Sequence, residues 1–81
     1  MEDRYPALPG NETIVRSVSE LGALIRQVRK HQDMTQEDVS GLAGFGNRFI
    51  IDLERGKETV QAQKVIDILS LLGLELVVRK A

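Results

Sequence analysis

Cysteine and tryptophan are absent from this 81-residue sequence, and histidine occurs once, as His31. Without cysteine the chain can form no disulfide, and one histidine without thiols cannot provide the ligands of a structural zinc site. The longest apolar runs span only a few residues, too few for a transmembrane helix, and the N-terminal MEDRYPALPG lacks the pattern of a signal peptide. These absences favour a cytoplasmic protein that does not enter a membrane.

Groups that carry catalysis are equally scarce. The sequence contains no glycine-rich phosphate loop, no cluster of metal ligands and no cysteine nucleophile. No nucleophile stands at an interpretable spacing from His31. We therefore expect neither an enzyme nor a bound cofactor or metal, and we expect His31 to be a solvent-exposed residue or a helix cap.

A strong charge of either sign is also missing, since the formal net charge is −1. Most DNA-binding domains are basic, so this balance weighs weakly against a nucleic-acid partner, although the placement of charge matters more than its sum. A chain of this length forms one domain whose core alone gives marginal stability. Because neither a disulfide nor a metal can reinforce it, we expect self-association to do so.

The beginning of the chain combines both prolines with a glycine and mixed charges, and we interpret residues 1–12 as a flexible arm. A helical domain is expected over residues 13–73. Its first helix starts from the capping box Ser17-x-x-Glu20. Apolar residues then recur at the i, i+3, i+4 and i+7 positions of an amphipathic helix, which predicts helix 1 near residues 18–31.

Two short helices follow in close succession. Thr35 is a suitable N-cap for helix 2 near residues 36–43, and Gly44 is suited to end it. Helix 3 is predicted near residues 46–55, almost immediately after this glycine-containing turn. The arrangement is typical of the helix-turn-helix motif.

Helix 4 is predicted near residues 60–72, and its apolar residues cover more than one face, so it can contact both its own core and a second copy of the chain. Residues 74–81 alternate in the manner of a strand, and residues 13–15 offer the only other candidate strand. A lone strand is unstable, so we expect this one to pair with its counterpart in a twofold-related copy. The residues predicted at the dimer interface are Ile68, Leu71, Leu72, Leu74, Leu76 and Val78.

Helix 3 has two chemically different faces. Successive residues rotate by about 100° around a helix, which places Phe49, Ile50 and Leu53 on one side and directs them to the core. The other side carries Asn47, Arg48, Ile51, Asp52 and Arg55. Ile51 is unusual there because it is an isoleucine in the middle of a polar arc.

The major groove of DNA explains this mixture of side chains. Arg48 can donate two hydrogen bonds to guanine, and Asn47 can pair with adenine. Ile51 can contact a thymine methyl group, and Asp52 can accept from cytosine or hold Arg48 as an i, i+4 pair. We therefore predict that these four residues read bases. The alternatives are an ordinary solvated ion pair between Arg48 and Asp52, and a surface apolar residue or protein contact at Ile51.

Contacts to the DNA backbone are expected around the same motif, because helix starts present free N–H groups to phosphates. The residues predicted to contact phosphates are Thr35, Gln36, Gly46, Arg55 and Lys57. Basic side chains at the end of helix 3 attract phosphates and add affinity that does not depend on the base sequence.

One further pair is expected to serve the fold. Glu54 lies at the border of the two faces of helix 3, and Arg29 lies near the end of helix 1. We predict a partly buried ion pair between them that locks the two helices together. Its role is structural rather than functional, since the loss of one partner of such a pair is costly.

The stretch MTQEDVSGLAGFGNRFIIDLERGK resembles the Xre/Cro-type repressor helix-turn-helix, whose pattern is T-Q-x-x-L-A-x-x-x-G-x-S-x-x-x-I-x-x-x-E-x-G. The positions of that pattern are occupied here by Thr35, Gln36, Ala43, Ile50, Glu54 and Gly56. With helices 1 and 4 the resemblance covers about residues 18–73. It implies an all-α, lambda-repressor-like bundle of about four helices, to which the C-terminal strand is added.

The ending VIDILSLLGLELVVRKA is similar to the HipB-type antitoxin branch. This resemblance implies a homodimer with a shared C-terminal sheet, a palindromic operator, and repression of the protein's own operon in the nucleoid. It also implies a HipA-type serine/threonine kinase toxin as a partner. Twofold symmetry is expected to place the two recognition helices about 34 Å apart, which is one turn of DNA.

Some positions depart from the family pattern. Gly46 stands where a serine N-cap is usual and offers no side chain to a phosphate, and Glu58 brings an acid close to the expected path of the DNA backbone. We therefore expect modest affinity per monomer, with dimerisation supplying the rest. The alternative is a protein-interaction module on a helix-turn-helix scaffold without specific DNA binding, in which Ile51 touches a protein.

Overall fold

The computed structural model describes residues 12–81, and residues 1–11 of the predicted arm lie outside that range. The described part of the chain contains four helices. They are α1 (Val18–His31), α2 (Gln36–Ala43), α3 (Asn47–Glu54) and α4 (Ala62–Leu71). The predicted all-helical helix-turn-helix bundle is confirmed, and the helix ends lie within two residues of their predicted positions. No helix among residues 12–81 is long and apolar enough to cross a membrane.

The side chains that precede α1 and α2 cap the first turns of these helices. The Thr35 hydroxyl accepts from the N–H of Asp38 at 3.0 Å, and the Asp38 carboxylate accepts from the N–H of Thr35 at 2.8 Å, which completes a capping box. At α1 the Ser17 hydroxyl accepts from the N–H of Glu20 at 3.0 Å. The Glu20 carboxylate reaches one residue further back, to the N–H of Arg16. Both patterns satisfy backbone donors that the helix itself leaves free.

The core forms around α3, which packs against α1 and α2, while α2 also packs against α4. Nine buried apolar side chains make up this core: Ile25, Val28, Val39, Ile50, Leu53, Val65, Ile68, Leu69 and Leu72. The contact between α1 and α3 is close enough to require a glycine. A Cβ added at the buried Gly22 would collide with the carbonyl oxygen of Leu53, so this position brings two backbones together.

The prediction that Ile68 and Leu72 lie at a dimer interface is wrong. Their exposed fractions are 0% and 1%, because both side chains point into the core of their own chain. The sequence pattern of a helix with two apolar faces does not show which of them packs against the core of the same chain. Leu71 and Leu74 are half-buried, and Leu74 packs against the core.

The predicted C-terminal strand is not present in the described chain. Residues 74–81 form no regular secondary structure, and the N–H of Leu74 donates at 2.8 Å to the carbonyl of Leu69 at the end of α4. An alternating sequence becomes a strand only beside a second strand that accepts its hydrogen bonds. Within residues 12–81 no such neighbour is present. Arg79 instead makes an exposed ion pair with Glu12, at 2.7 Å.

Candidate nucleic-acid interface

The outer face of α3 lies on the side of the helix that points away from the core. Ile50 and Leu53 are 1% and 0% exposed on the inner face, and Phe49 is half-buried beside them. The opposite face presents Arg48 to solvent, with Ile51 half-buried at its centre. The structure thus brings the predicted base-reading residues onto one surface next to α2.

Asp52 holds two cations on this surface. Its carboxylate lies 3.1 Å from Nε of Arg48 and 3.5 Å from Nζ of Lys57. The Arg48 and Lys57 side chains remain 76% and 56% exposed, while Asp52 is 14% exposed. Pairs of this kind on a helix surface contribute only about 0.2–0.5 kcal/mol. Arg48 can therefore leave Asp52 for another acceptor at little cost.

Asn47 connects α3 to α2. Its amide oxygen accepts a hydrogen bond from the hydroxyl of the buried Ser40 at 3.1 Å. The Asn47 amide nitrogen keeps both of its donors, and the oxygen keeps a second lone pair. Gly46 caps α3 without a side-chain hydrogen bond, as its lack of a side chain dictates.

The Gln36 side chain points inward at the start of α2. Its Nε2 donates to Oε1 of Glu54 at 3.1 Å, and the neighbouring Thr35 hydroxyl is engaged in the capping box. Both side chains were predicted to contact phosphate. In the structure the free donors at this helix start are the N–H groups of Gln36 and Glu37, which have no acceptor among the described residues.

Arg29 and Glu54 form a bidentate pair with two hydrogen bonds. Nε of Arg29 lies 2.6 Å from Oε2 of Glu54, and Nη2 lies 2.9 Å from Oε1. The remaining Nη1 donates to the carbonyl of Met34 at 2.8 Å. The side chains are 7% and 3% exposed. The hydrogen bonds that Arg29 donates to Glu54 raise the pKa of the Arg29 guanidinium above its ordinary value despite partial desolvation, so Arg29 stays charged.

A groove runs along the edge of this outer face. It has a volume of about 360 Å³ and is lined by Arg26, Gln36, Ile51, Glu54 and Arg55. Arg26, on α1, is not among the residues that the sequence pattern predicts for the interface. The sequence spacing could have identified Arg26, because Arg26 precedes Arg29 by three residues and therefore lies on the same side of α1 as Arg29.

Aromatic side chains close the turn between α2 and α3. The rings of Phe45 and Phe49 meet edge to face with centroids 5.5 Å apart. Nζ of Lys64, in the first turn of α4, lies 5.1 Å and 5.6 Å from the two centroids. These cation–π contacts fix the turn against α4, and they were not predicted from the sequence.

Comparison with known proteins gives a consistent result. The model of a family described as "Helix-turn-helix domain" matches residues 22–77. The chain is 48% identical over 59 residues to the "Uncharacterized HTH-type transcriptional regulator y4mF" of Sinorhizobium fredii, an alignment that covers 73% of this chain and 78% of that protein.

Two solved structures share the fold. One, "HipB-O4 20mer complex", superposes with a TM-score of 0.79 at 20% identity and covers 86% of this chain and 99% of that one. The other, "Structure of HipA-HipB-O2-O3 complex", gives 0.78 at 19% identity and covers 85% and 97%. The predicted resemblance to the Xre/Cro-type motif, and in fold to HipB, is confirmed. The chain belongs to the helix-turn-helix domain family.

Proposed function

We propose that this protein is a sequence-specific DNA-binding transcriptional repressor that reads the major groove with the outer face of α3. The observation that carries the proposal is the state of Arg48. Asp52 orients the Arg48 guanidinium, which nevertheless remains 76% exposed. The neighbouring Ile51 is not part of the core. An oriented and accessible guanidinium suits the bidentate recognition of guanine O6 and N7. The similar protein from Sinorhizobium fredii carries the name of a transcriptional regulator.

Each side chain of the outer face of α3 has its own contact in the proposed recognition of DNA. Arg48 donates to guanine, while Asp52 orients it or accepts from cytosine N4. Ile51 contacts a thymine methyl group. Asn47 pairs with adenine through the amide donors and the lone pair that Ser40 leaves free. Arg55, Lys57 and the free N–H groups of Gln36 and Glu37 hold phosphates and set the register of α3.

The test of this function is a fluorescence anisotropy titration of the protein against duplex DNA from upstream of its own gene. A scrambled duplex of the same length and composition serves as the control, and both are measured at two salt concentrations. We expect the native duplex to bind more tightly, with an affinity that falls steeply as salt rises because bound counterions are released. Equal weak binding to both duplexes would refute the proposal.

We further propose that the protein acts as a homodimer through its C-terminal segment. Leu76, Val77 and Val78 are 61%, 61% and 91% exposed, a run of apolar side chains without cover in the described chain. A twofold dimer places two α3 helices about 34 Å apart, which fits a palindromic operator.

Deleting residues 75–81 tests the dimer while retaining Leu74, whose side chain packs against the core. We expect the truncated protein to become monomeric in sedimentation velocity and to lose DNA affinity in parallel, since two linked half-sites bind more tightly than one. A Lys80→Ala variant of the full chain is the control and should remain dimeric. A truncated protein that sediments as a full-strength dimer would refute this interface.

A finer proposal concerns a protein partner. The superposing structure of a HipA–HipB complex supports the proposal that a HipA-type serine/threonine kinase toxin is the partner of this chain. The chain then acts as the antitoxin of that kinase and represses their shared operon. Co-expression with the product of the neighbouring gene tests it. We expect that product to be a kinase and to co-elute with this chain in size-exclusion chromatography. Separate elution would refute the antitoxin role.

One observation favours the alternative of a protein-interaction module. Leu42 on α2 is 70% exposed and lines an open groove of about 450 Å³ with Met34 and Gly41, rimmed by Glu37 and Asp38. Acidic side chains around an apolar residue suit a protein better than DNA. Salt discriminates between the two functions, because DNA affinity falls steeply with salt and a mainly apolar contact does not.

A further inference from the structure

The basic side chains around the helix-turn-helix differ in whether they are already paired. Arg29, Arg48 and Lys57 each contact a carboxylate. Arg26 and Arg55 are exposed, and neither has an ion pair or side-chain hydrogen bond to another described residue. A guanidinium without a partner retains all its donors for an external anion.

These two unpaired arginines line the same groove, although they come from different helices. Arg26 is carried by α1 and Arg55 follows α3, and Gln36 and Ile51 also line the groove. The volume of about 360 Å³ is several times the roughly 30 Å³ that one water occupies in the liquid. The groove therefore has room for a phosphodiester group.

The one acid in the lining does not cancel their charge. Both oxygens of Glu54 accept hydrogen bonds, from Arg29 at 2.6 and 2.9 Å and from Gln36 at 3.1 Å. The Glu54 side chain is 3% exposed, so it contributes neither a free acceptor nor an uncompensated charge. The groove presents two guanidinium groups, whose planar donors match phosphate oxygens.

We propose that Arg26 and Arg55 clamp a single DNA phosphate between α1 and α3. The inference rests on the proposed DNA-binding function and assigns α1 a direct contact with the nucleic acid. The clamp lies beside Ile51, so it fixes the phosphate next to a base that α3 reads. The buried Arg29–Glu54 pair joins α1 to α3, the helix that carries Arg26 and the helix that Arg55 follows.

Salt dependence distinguishes a phosphate clamp from two surface charges. Each neutralised phosphate adds about 0.9 to the slope of log affinity against log salt. We expect Arg26→Ala to weaken binding equally for native and scrambled duplexes and to reduce that slope. The double variant Arg26→Ala/Arg55→Ala loses the phosphate contact altogether and should reduce the slope by about one. Lys30→Ala is the matched control, because it removes one charge from the same helix at an exposed position outside the groove. It should leave the slope unchanged.

Neutral phosphate analogues locate the contact. The native duplex is prepared as a series with one phosphate at a time replaced by a methylphosphonate, and each member is titrated with the wild type, Arg26→Ala and Arg55→Ala. We expect one position at which the wild type loses affinity and each variant loses less, because each variant keeps only one arginine at that phosphate. Equal slopes for Arg26→Ala and Lys30→Ala, or the absence of a phosphate at which both variants lose less affinity than the wild type, would overturn the clamp. Wild-type binding to the native duplex would still support the proposed function. Failure of the wild type to bind would overturn both.

Discussion

Helix α3 carries two carboxylates, Asp52 and Glu54, that each pair with an arginine but lie on opposite sides of the helix. On the inner side, Glu54 and Arg29 are 3% and 7% exposed and meet at 2.6 Å. On the outer side, Asp52 and Arg48 are 14% and 76% exposed and meet at 3.1 Å. Both pairs join a carboxylate to a guanidinium, but the inner pair is buried and makes two hydrogen bonds, whereas the outer pair is exposed at Arg48.

Burial decides what each pair can do. A desolvated pair must stay intact, because removing one partner leaves an uncompensated charge out of water. An exposed pair is screened by solvent and contributes little to stability, so its arginine is free to exchange partners. One short helix thereby anchors the fold through Glu54 and presents an oriented cation through Asp52.

Glu54→Gln should have the largest effect, because it leaves the buried Arg29 without a counter-charge. We expect a loss of about 3–5 kcal/mol in the free energy of unfolding, measured by urea denaturation. Asp52→Asn is the matched control, since it makes the same change of carboxylate to amide two residues away. That control should lose less than about 1 kcal/mol. Equal losses in the two variants would contradict the division between inner and outer pairs.

Gly22→Ala tests the close approach of α1 and α3 that brings Arg29 to Glu54. The added methyl group collides with the carbonyl of Leu53, so we expect a destabilisation of about 1–3 kcal/mol from overpacking. Gly41→Ala is the control, because a Cβ at Gly41 meets nothing within 4 Å. It should stabilise α2 by up to about 1 kcal/mol through helix propensity. Thermal unfolding of both variants measures the contrast, and a destabilisation of similar size in both would contradict this packing.

Asp52→Asn should have the smallest effect, and on binding rather than on folding. The substitution removes a negative charge from the outer face and releases Arg48 and Lys57 from their common partner. We expect scrambled DNA to bind a few tenths of a kcal/mol more tightly, about the strength of an exposed helix pair, and the preference for the native duplex to narrow. Competition titrations measure that preference. A preference that widens would show that Asp52 does not orient Arg48.

The local features of the fold could be predicted from sequence. The capping residue Thr35 and the glycine after α2 mark helix ends directly, and the rotation of residues around α3 separates its core side from its outer side. These features depend on neighbours in the chain. The same rotation placed Glu54 at the border between the two faces, where it meets Arg29.

Features that depend on how distant segments meet could not be predicted. The pattern of α4 shows two apolar faces without showing that Ile68 and Leu72 serve its own core. Alternation in residues 74–81 does not supply the neighbour that a strand requires. Arg26 joins the groove only because α1 packs beside α3, and Gln36 turns inward only because Glu54 is there to accept from it.

We propose that the outer face of α3 reads DNA bases independently of the inner pair that holds the fold. Binding of Arg48→Ala to a set of upstream duplexes, in which each base pair is changed in turn, tests this proposal. We predict an unfolding free energy within about 0.5 kcal/mol of the wild type. We also predict a loss of about 1–3 kcal/mol in binding to the native duplex, with discrimination lost at one base pair alone. Unchanged affinity and unchanged base preference in a folded Arg48→Ala protein would show that the outer face of α3 does not read bases through Arg48.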